Sequence, residues 1–211
     1  MSGKLAAATD KTCVLRFEVT TTQYQLQNAL AYVWLIFGIY WFLSGIRTKA
    51  AKTRELSAWR FLRLFILAAT FSLLFGKWTR IGFLGWRFVP VKPFIFETGL
   101  VLALAGISLA LWARLHLGKN WSDKVILKVD HELIRSGPYA YFRHPIYSGV
   151  LLGILGTGLV VGEWRCVLAF CILLANYSIK AKREDHILAA QFGDAFQEHK
   201  RQAGFLLPRF H

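Results

Sequence analysis

The residues best suited to chemistry lie in one short stretch, residues 133–149, which reads LIRSGPYAYFRHPIYSG. Pro145 suits the first position of a helix, because proline lacks the N–H that would have no partner there. His144 and Tyr147 are three residues apart, so both side chains can face one side of the helix entrance. Unpaired N–H groups at a helix start favour an anionic ligand group. The stretch therefore predicts a binding site at the mouth of a helix.

A second polar set lies further along the chain. Lys180 and Glu184 are four residues apart and share a helix face, and Tyr177 precedes them on the same side. A carboxylate or an aromatic face would stabilise a bound cation, and Glu184 could act as a general base toward an amine. The sequence contains no HExxH or paired-cysteine motif and no visible Ser-His-Asp arrangement. We therefore expect group transfer from a bound cofactor rather than hydrolysis, and no metal site.

The composition excludes an ordinary soluble protein. Of 211 residues, 55% are hydrophobic, and the mean hydropathy is +0.39. Apolar runs recur at about 16–20 residues, close to the length that crosses a bilayer. The net charge of +14 would suggest nucleic acid in a soluble chain, but here the basic residues cluster at the ends of apolar runs. Membrane topology and anionic lipid explain them better, and we expect no nucleic-acid partner.

The apolar runs predict an all-α integral membrane protein with about five transmembrane helices and a cytoplasmic cofactor pocket. The expected spans are residues 29–46, 59–76, 94–113, 145–162 and 166–179. Residues 1–28 would form an N-terminal arm, residues 29–113 would hold three transmembrane helices, and residues 114–211 would form the cofactor-binding core. Within that core, residues 145–179 would form a transmembrane hairpin. A polar helical segment would follow, with a break at Phe192-Gly193.

The distribution of charge predicts the orientation. Lys and Arg are concentrated in the segment after the first span and in the connector 114–143. Such segments face the cytoplasm, so the N-terminus is expected outside and the cofactor site inside. The apolar tail 205–210 is expected on the membrane surface, and His186, His199 and His211 are expected on the protein surface.

A stripe of small residues follows the His144 motif. Gly149, Gly153 and Gly156 are spaced four and then three apart. One interpretation is tight packing against a neighbouring helix. The other is close approach of a cofactor to the backbone at Gly149, the glycine nearest the polar mouth.

Two motifs together resemble a known family. His131-Glu132-Leu133-Ile134, followed by the stretch 136–149, looks like the cofactor motif of the isoprenylcysteine carboxyl methyltransferases. Residues 180–185, followed by Phe192-Gly193 and Pro208, resemble that family's C-terminal motif. The resemblance covers residues 112–208, and phospholipid N-methyltransferases and C14-sterol reductases share a related core.

The resemblance implies S-adenosylmethionine as the cofactor and a lipid or prenylated small molecule as the substrate, entering from the surrounding membrane lipids. It implies catalytic roles for Glu184 and Lys180, and Lys180 stands where the prenylcysteine enzymes carry a substrate-site arginine. Lysine cannot form the bidentate fork that arginine makes with a carboxylate. Together with Gly149, the expected cofactor-binding residues are Lys124, His131, Glu132, Leu133, Ile134, Tyr139, His144, Pro145, Tyr147 and Glu184.

Several functions remain open at this stage. A carboxylate acceptor is the first choice, because it is already ionised and requires mainly positioning. A phospholipid amine is the alternative acceptor. A sterol-type reductase or a non-catalytic membrane protein is a further alternative, although a transporter would more often contain an internal repeat, which we do not find.

Overall fold

A computed structural model describes residues 2–46, 57–118 and 133–210, with side chains described for residues 20–44, 61–118 and 133–210. The named elements of these ranges are all helical, which confirms the predicted all-α fold class. Short 3-10 helices occupy Lys77–Thr79, Gly82–Gly85 and Gly137–Ala140. The α-helices are α1 (Ser2–Ile46), α2 (Ser57–Phe75), α3 (Pro93–Leu117), α4 (Pro145–Val161), α5 (Trp164–Phe192) and α6 (Asp194–Gln202).

Three stretches are long and apolar enough to cross a membrane: Thr20–Ser44, Pro93–Leu117 and Trp164–Phe192. Shorter apolar helices cover Phe61–Phe75 and Pro145–Val161. Many large apolar side chains on these helices point outward, such as Phe42 at 72% and Phe65 at 70% exposure. An outward apolar surface of this extent is typical of contact with another apolar medium. The protein is therefore a membrane protein with several apolar helices.

Two helices differ in extent from the predictions. Helix α1 continues from Ser2 through Ile46, with no break at the predicted boundary between residues 28 and 29. This range contains no proline that would interrupt the helical hydrogen bonds. Helix α5 likewise joins the predicted apolar span and the polar segment after it into one helix, which ends at Phe192. Gly193 then takes a φ of +50°, a conformation that glycine adopts readily, so the predicted break is confirmed.

Helices α3 and α4 pack backbone against backbone. A Cβ added to Gly149 would lie 2.6 Å from the Ala110 nitrogen, and one added to Gly156 would lie 2.3 Å from the Ala103 nitrogen. Only glycine permits this approach, so helix packing explains the stripe. Gly149 is buried against the backbone of α3, so helix packing, and not the close approach of a cofactor, accounts for this glycine.

The turn between α4 and α5 is fastened by buried charges. Glu163 is 2% exposed and accepts hydrogen bonds from Arg80 and from Arg165, the latter at 2.6 Å. Arg165 also donates to two carbonyl oxygens at the end of α2, at 2.7 and 2.8 Å. From α1, the Gln23 amide donates to two carbonyl oxygens at the end of α4. These contacts hold α1 and α2 against the closed end of the hairpin and leave its open end for the predicted site.

Candidate active site at the open end of the hairpin

The hairpin brings the two sequence motifs together. His144 directly precedes α4, whereas Glu184 and Asp185 lie in the last turns of α5. Since the two helices run antiparallel, these positions meet at the same end. The His144 Nδ1 atom lies 3.4 Å from a Glu184 oxygen, and Nε2 lies 2.9 Å from a carboxylate oxygen of Asp185. An imidazole is thus held between two carboxylates from the other arm of the hairpin.

An aromatic column adjoins this cluster. The Tyr147 ring stacks on His144 with centroids 5.7 Å apart, and on Tyr177 with centroids 4.7 Å apart. The Tyr147 hydroxyl donates to Glu184 at 2.6 Å. The Lys180 Nζ atom lies 5.4 Å from the centroid of the Tyr147 ring. Two predicted catalytic residues, Glu184 and Lys180, therefore meet the predicted cofactor residues around one ring.

The buried position and acidic neighbours of His144 determine its charge. Its side chain is 5% exposed, and burial by itself lowers the pKa of the imidazole. The nearby carboxylates of Asp185 and Glu184 oppose this effect, and the pKa of His144 is raised above its usual value. A protonated imidazole donates from both nitrogens, which matches an acceptor at each. Arg143 adds a further positive charge 3.3 Å from Asp185.

The C-terminal tail packs on the His144 motif. The Arg143 amide donates to the Gly204 carbonyl at 2.8 Å, and the Gly204 amide donates to the Tyr141 carbonyl at 3.0 Å. The Ser148 hydroxyl donates to the Leu206 carbonyl at 2.7 Å. These bonds satisfy backbone groups that no regular helix pairs.

Phe205 completes this contact. Its ring lies edge-on to His144, with centroids 5.4 Å apart, and the Arg143 guanidinium lies over its face. The expectation that the whole apolar tail lies on the membrane surface is therefore wrong for Phe205 and Leu206, which are partly buried in the protein. Leu207 and Phe210 remain exposed.

A cavity of about 80 Å³ lies beside the cluster. Three predicted cofactor residues, Leu133, Ile134 and Tyr139, line it. The full lining is Leu117, Leu133, Ile134, Tyr139, Arg143, Leu188, Phe196 and His199.

The expectation that His199 lies on the surface is wrong, because its exposure is only 3%. Helix α6 turns back after Gly193 and places Phe196 and His199, three residues apart, on its inward face. His186 is exposed, as expected.

The remaining predicted site residues are placed as follows. Tyr139 is 8% exposed, and its hydroxyl lies 3.5 Å from the Ala113 carbonyl. Pro145 is the first residue of α4, as its position in the sequence predicts, and it is buried. Lys124, His131 and Glu132 lie outside the described residues. Among the residues that are described, no group of three or more His, Cys, Asp or Glu side chains could hold a metal ion.

Sequence reasoning missed Asp185 and the buried His199. Asp185 directly follows Glu184, and adjacent helix residues usually point in different directions. Its contact with His144 depends on how the ends of α4 and α5 meet. For His199 a signal was present, since Phe196, His199 and Ala203 follow the spacing of one buried helix face.

Comparison with known proteins finds a family model and several relatives that are similar to this chain. Residues 99–190 match the model of the isoprenylcysteine carboxyl methyltransferase family. A cobalt-zinc-cadmium resistance protein, CzcN, of Cupriavidus metallidurans is 33% identical over 74% of this chain and 64% of its own length. The protein-S-isoprenylcysteine O-methyltransferase of Schizosaccharomyces pombe is 30% identical over 54% of this chain and 52% of its own. The human enzyme of the same name is 29% identical over 58% and 44%.

A solved structure of the eukaryotic intramembrane Ras methyltransferase ICMT overlaps with a TM-score of 0.49 at 23% identity, over 74% of this chain and 54% of that one. The chain thus spans about half to two thirds of the length of the curated relatives named here. The family match includes both His144 and Glu184 and confirms the resemblance predicted from the sequence.

Proposed function

We propose that this chain, whose residues 99–190 match the isoprenylcysteine carboxyl methyltransferase family, is a membrane-bound methyltransferase that uses S-adenosylmethionine. The observation that carries the proposal is the cluster of His144, Glu184 and Asp185. Two motifs that lie far apart in sequence form it, and it lies at one end of the apolar hairpin. A polar cluster of this kind is where a cofactor from water and an acceptor from the lipid could meet.

The side chains present suit this cofactor. When bound, S-adenosylmethionine supplies an electrophilic methyl group on a positively charged sulfonium. The aromatic faces of Tyr147 and Tyr177 and the carboxylate of Glu184 are groups that stabilise a cation. We propose that Leu133, Ile134 and the remaining predicted residues, including Lys124, His131 and Glu132 outside the described ranges, complete the binding site.

We propose a carboxylate as the acceptor, as in isoprenylcysteine O-methylation. One oxygen of Glu184 accepts a hydrogen bond from Tyr147, and the other lies 3.4 Å from the Nδ1 atom of His144. A carboxylate so engaged is suited to orienting its neighbours and less suited to taking a proton. An acceptor that is already ionised needs no general base, so positioning is sufficient. Lys180 would attract such an acceptor as a single point charge.

A phospholipid amine is the second candidate, supported by the lysine at position 180 in place of a carboxylate-binding arginine. Methylation of an amine would require a base, and Glu184 would then have to release Tyr147. A carboxylate acceptor is therefore compatible with a Glu184 that stays bonded to Tyr147, whereas an amine acceptor requires a Glu184 that has released it.

We further propose that the site faces the cytoplasm and that the N-terminus lies outside. The connector 114–143 and the C-terminal segment are rich in Lys and Arg, and under the positive-inside rule such segments face the cytoplasm. Residues 114–211 would form the cofactor-binding core, and residues 29–113 would anchor it in the membrane. The bilayer would be the route by which a lipid-linked substrate reaches Lys180.

The experiment is calorimetric binding of S-adenosylmethionine and S-adenosylhomocysteine to the detergent-purified protein, followed by a methyl-transfer assay. Farnesylcysteine and phosphatidylethanolamine would be offered as acceptors. We expect binding by the wild type and a loss of transfer in His144→Ala and Glu184→Ala. His186→Ala, an exposed histidine on the same helix as Glu184, is the matched control. A well-folded protein that binds neither ligand would overturn the proposal.

A further inference from the structure

The closed end of the hairpin, opposite the candidate site, presents a surface that the chemistry described above does not use. The loop between α2 and α3, residues 76–92, lies there beside the turn between α4 and α5. Large apolar side chains at this end have exposed fractions between 44% and 73%. We call them the apolar rim, which consists of Trp78, Ile81, Phe83, Trp86, Phe94 and Trp164. A group of exposed apolar side chains of this kind marks contact with another surface.

The loop is fastened to the hairpin turn through its backbone. The Phe88 amide donates to the Gly162 carbonyl at 3.0 Å, and the Trp164 amide donates to the Trp86 carbonyl at 3.0 Å. These bonds pair backbone groups of an irregular loop on its protein side. The apolar rim is therefore displayed by a segment that is attached to the helices at both arms of the hairpin turn.

The same loop is cationic. It contains no Asp or Glu, and its charged residues are Lys77, Arg80, Arg87 and Lys92. Arg80 is paired with Glu163, and the Arg87 guanidinium donates to carbonyl oxygens of the protein. Lys77 and Lys92 are exposed, and they form no ion pair with any residue that the structure describes. The positive charges of these two lysines are therefore available to a partner outside the chain.

This combination of side chains suits the headgroup region of a bilayer better than either neighbouring zone. In water, the apolar rim would remain exposed without a partner. In hydrocarbon, the charged side chains and the irregular backbone of the loop would both be costly. Tryptophan rings concentrate at the headgroup level, and lysine and arginine near the membrane surface are attracted to anionic lipids. The charge and the apolar rim therefore select the same partner.

We propose that the closed end binds anionic phospholipid headgroups, with the apolar rim inserted among the lipids and with Lys77 and Lys92 in contact with the phosphates. Lys77 follows the end of α2 and Lys92 precedes the start of α3, so both stand where an apolar helix meets the loop. Glu97, in the second turn of α3, carries one opposing charge, which leaves an excess of positive charge. This binding depends on the position of the chain in a membrane and not on methyl transfer. It gives a role to cations at the end that the proposed orientation places outside, where the positive-inside rule predicts few of them.

The first test compares thermal unfolding of the full-length protein in two kinds of vesicle, one of phosphatidylcholine alone and one of equal parts phosphatidylcholine and phosphatidylglycerol. The double variant Lys77→Gln/Lys92→Gln removes the two available charges of the loop. Lys182→Gln/Lys200→Gln removes the same charge from exposed positions beyond the open end and is the matched control. We expect phosphatidylglycerol to raise the Tm of the wild type and of the control by about 2–4 °C, and the loop variant to lose most of this rise. No rise in the wild type, or an equal loss in both double variants, would overturn the inference.

The second test locates the apolar rim by tryptophan fluorescence in the same vesicles. The emission of Trp78 and Trp86 is the difference between the wild type and Trp78→Phe/Trp86→Phe. We expect phosphatidylcholine brominated near the top of its acyl chains to quench this emission and aqueous iodide to leave it nearly unchanged. Quenching by iodide and not by the brominated lipid would overturn the inference, because it would place the rim in water, where a soluble protein would be the partner to seek.

Discussion

Replacing Asp185 by asparagine tests the central cluster most directly. The amide keeps the shape of the side chain and one acceptor oxygen, but it removes the charge that faces His144 at 2.9 Å. Hydrogen bonds to charged groups contribute about 1.5–3 kcal/mol. Because the amide oxygen still accepts a hydrogen bond, we expect the transition state to lose about 1.5 kcal/mol of stabilisation, the lower end of this range. This loss corresponds to about a tenfold decrease in kcat/KM for methyl transfer.

The same substitution should change how stability depends on pH. The folded-state pKa of His144 is raised, so its contribution is fully present below the ordinary imidazole pKa and is lost as pH rises through the raised value. In Asp185→Asn, the negative charge that offsets the effect of burial on His144 is absent, so the pKa of His144 falls. The decrease in Tm with rising pH begins near the ordinary imidazole pKa in both proteins, so in Asp185→Asn it should be smaller and should end at a lower pH than in the wild type.

Thermal unfolding in detergent between pH 5 and pH 9 would measure this shift alongside the transfer assay. Asp194→Asn is the matched control, since Asp194 is exposed at the start of α6. Activity within twofold of the wild type, together with an unchanged pH dependence of Tm, would refute the assignment of Asp185 as a partner that positions His144.

Three further predictions follow from other contacts. Phe205→Ala should lower kcat several-fold, because His144 loses its edge-on contact with the Phe205 ring. Leu207→Ala, at an exposed position, should leave kcat unchanged, and methyl-transfer assays would compare the two variants. Gly156→Ala should destabilise the protein by about 1–3 kcal/mol, because its Cβ would overlap the backbone of α3, and unfolding in detergent would measure the loss. Lys180→Arg should improve the kcat/KM for farnesylcysteine if the acceptor is a carboxylate, and no change with any carboxylate substrate would count against that acceptor.

The helices were predictable because their causes are local. Apolar runs of sufficient length specify membrane helices, since a backbone in lipid must satisfy its hydrogen bonds within the segment. The start of α4 at Pro145 and the end of α5 before Gly193 follow from single residues whose backbone preferences are strong. The pairing of His144 with Glu184 was implied by a family resemblance, and the hairpin between them supplied the geometric reason.

Tertiary structure alone decided the rest. The stripe of Gly149 and Gly156 was compatible with a cofactor or with a helix, and the close approach of α3 resolved that choice. The contacts of His144 with Asp185 and Phe205 join residues far apart in sequence, and they depend on how the ends of α4, α5 and the tail meet. Periodicity and hydropathy describe which side of one helix is apolar. They do not specify which polar residues from different helices meet, because that depends on the lengths, angles and packing of several helices together.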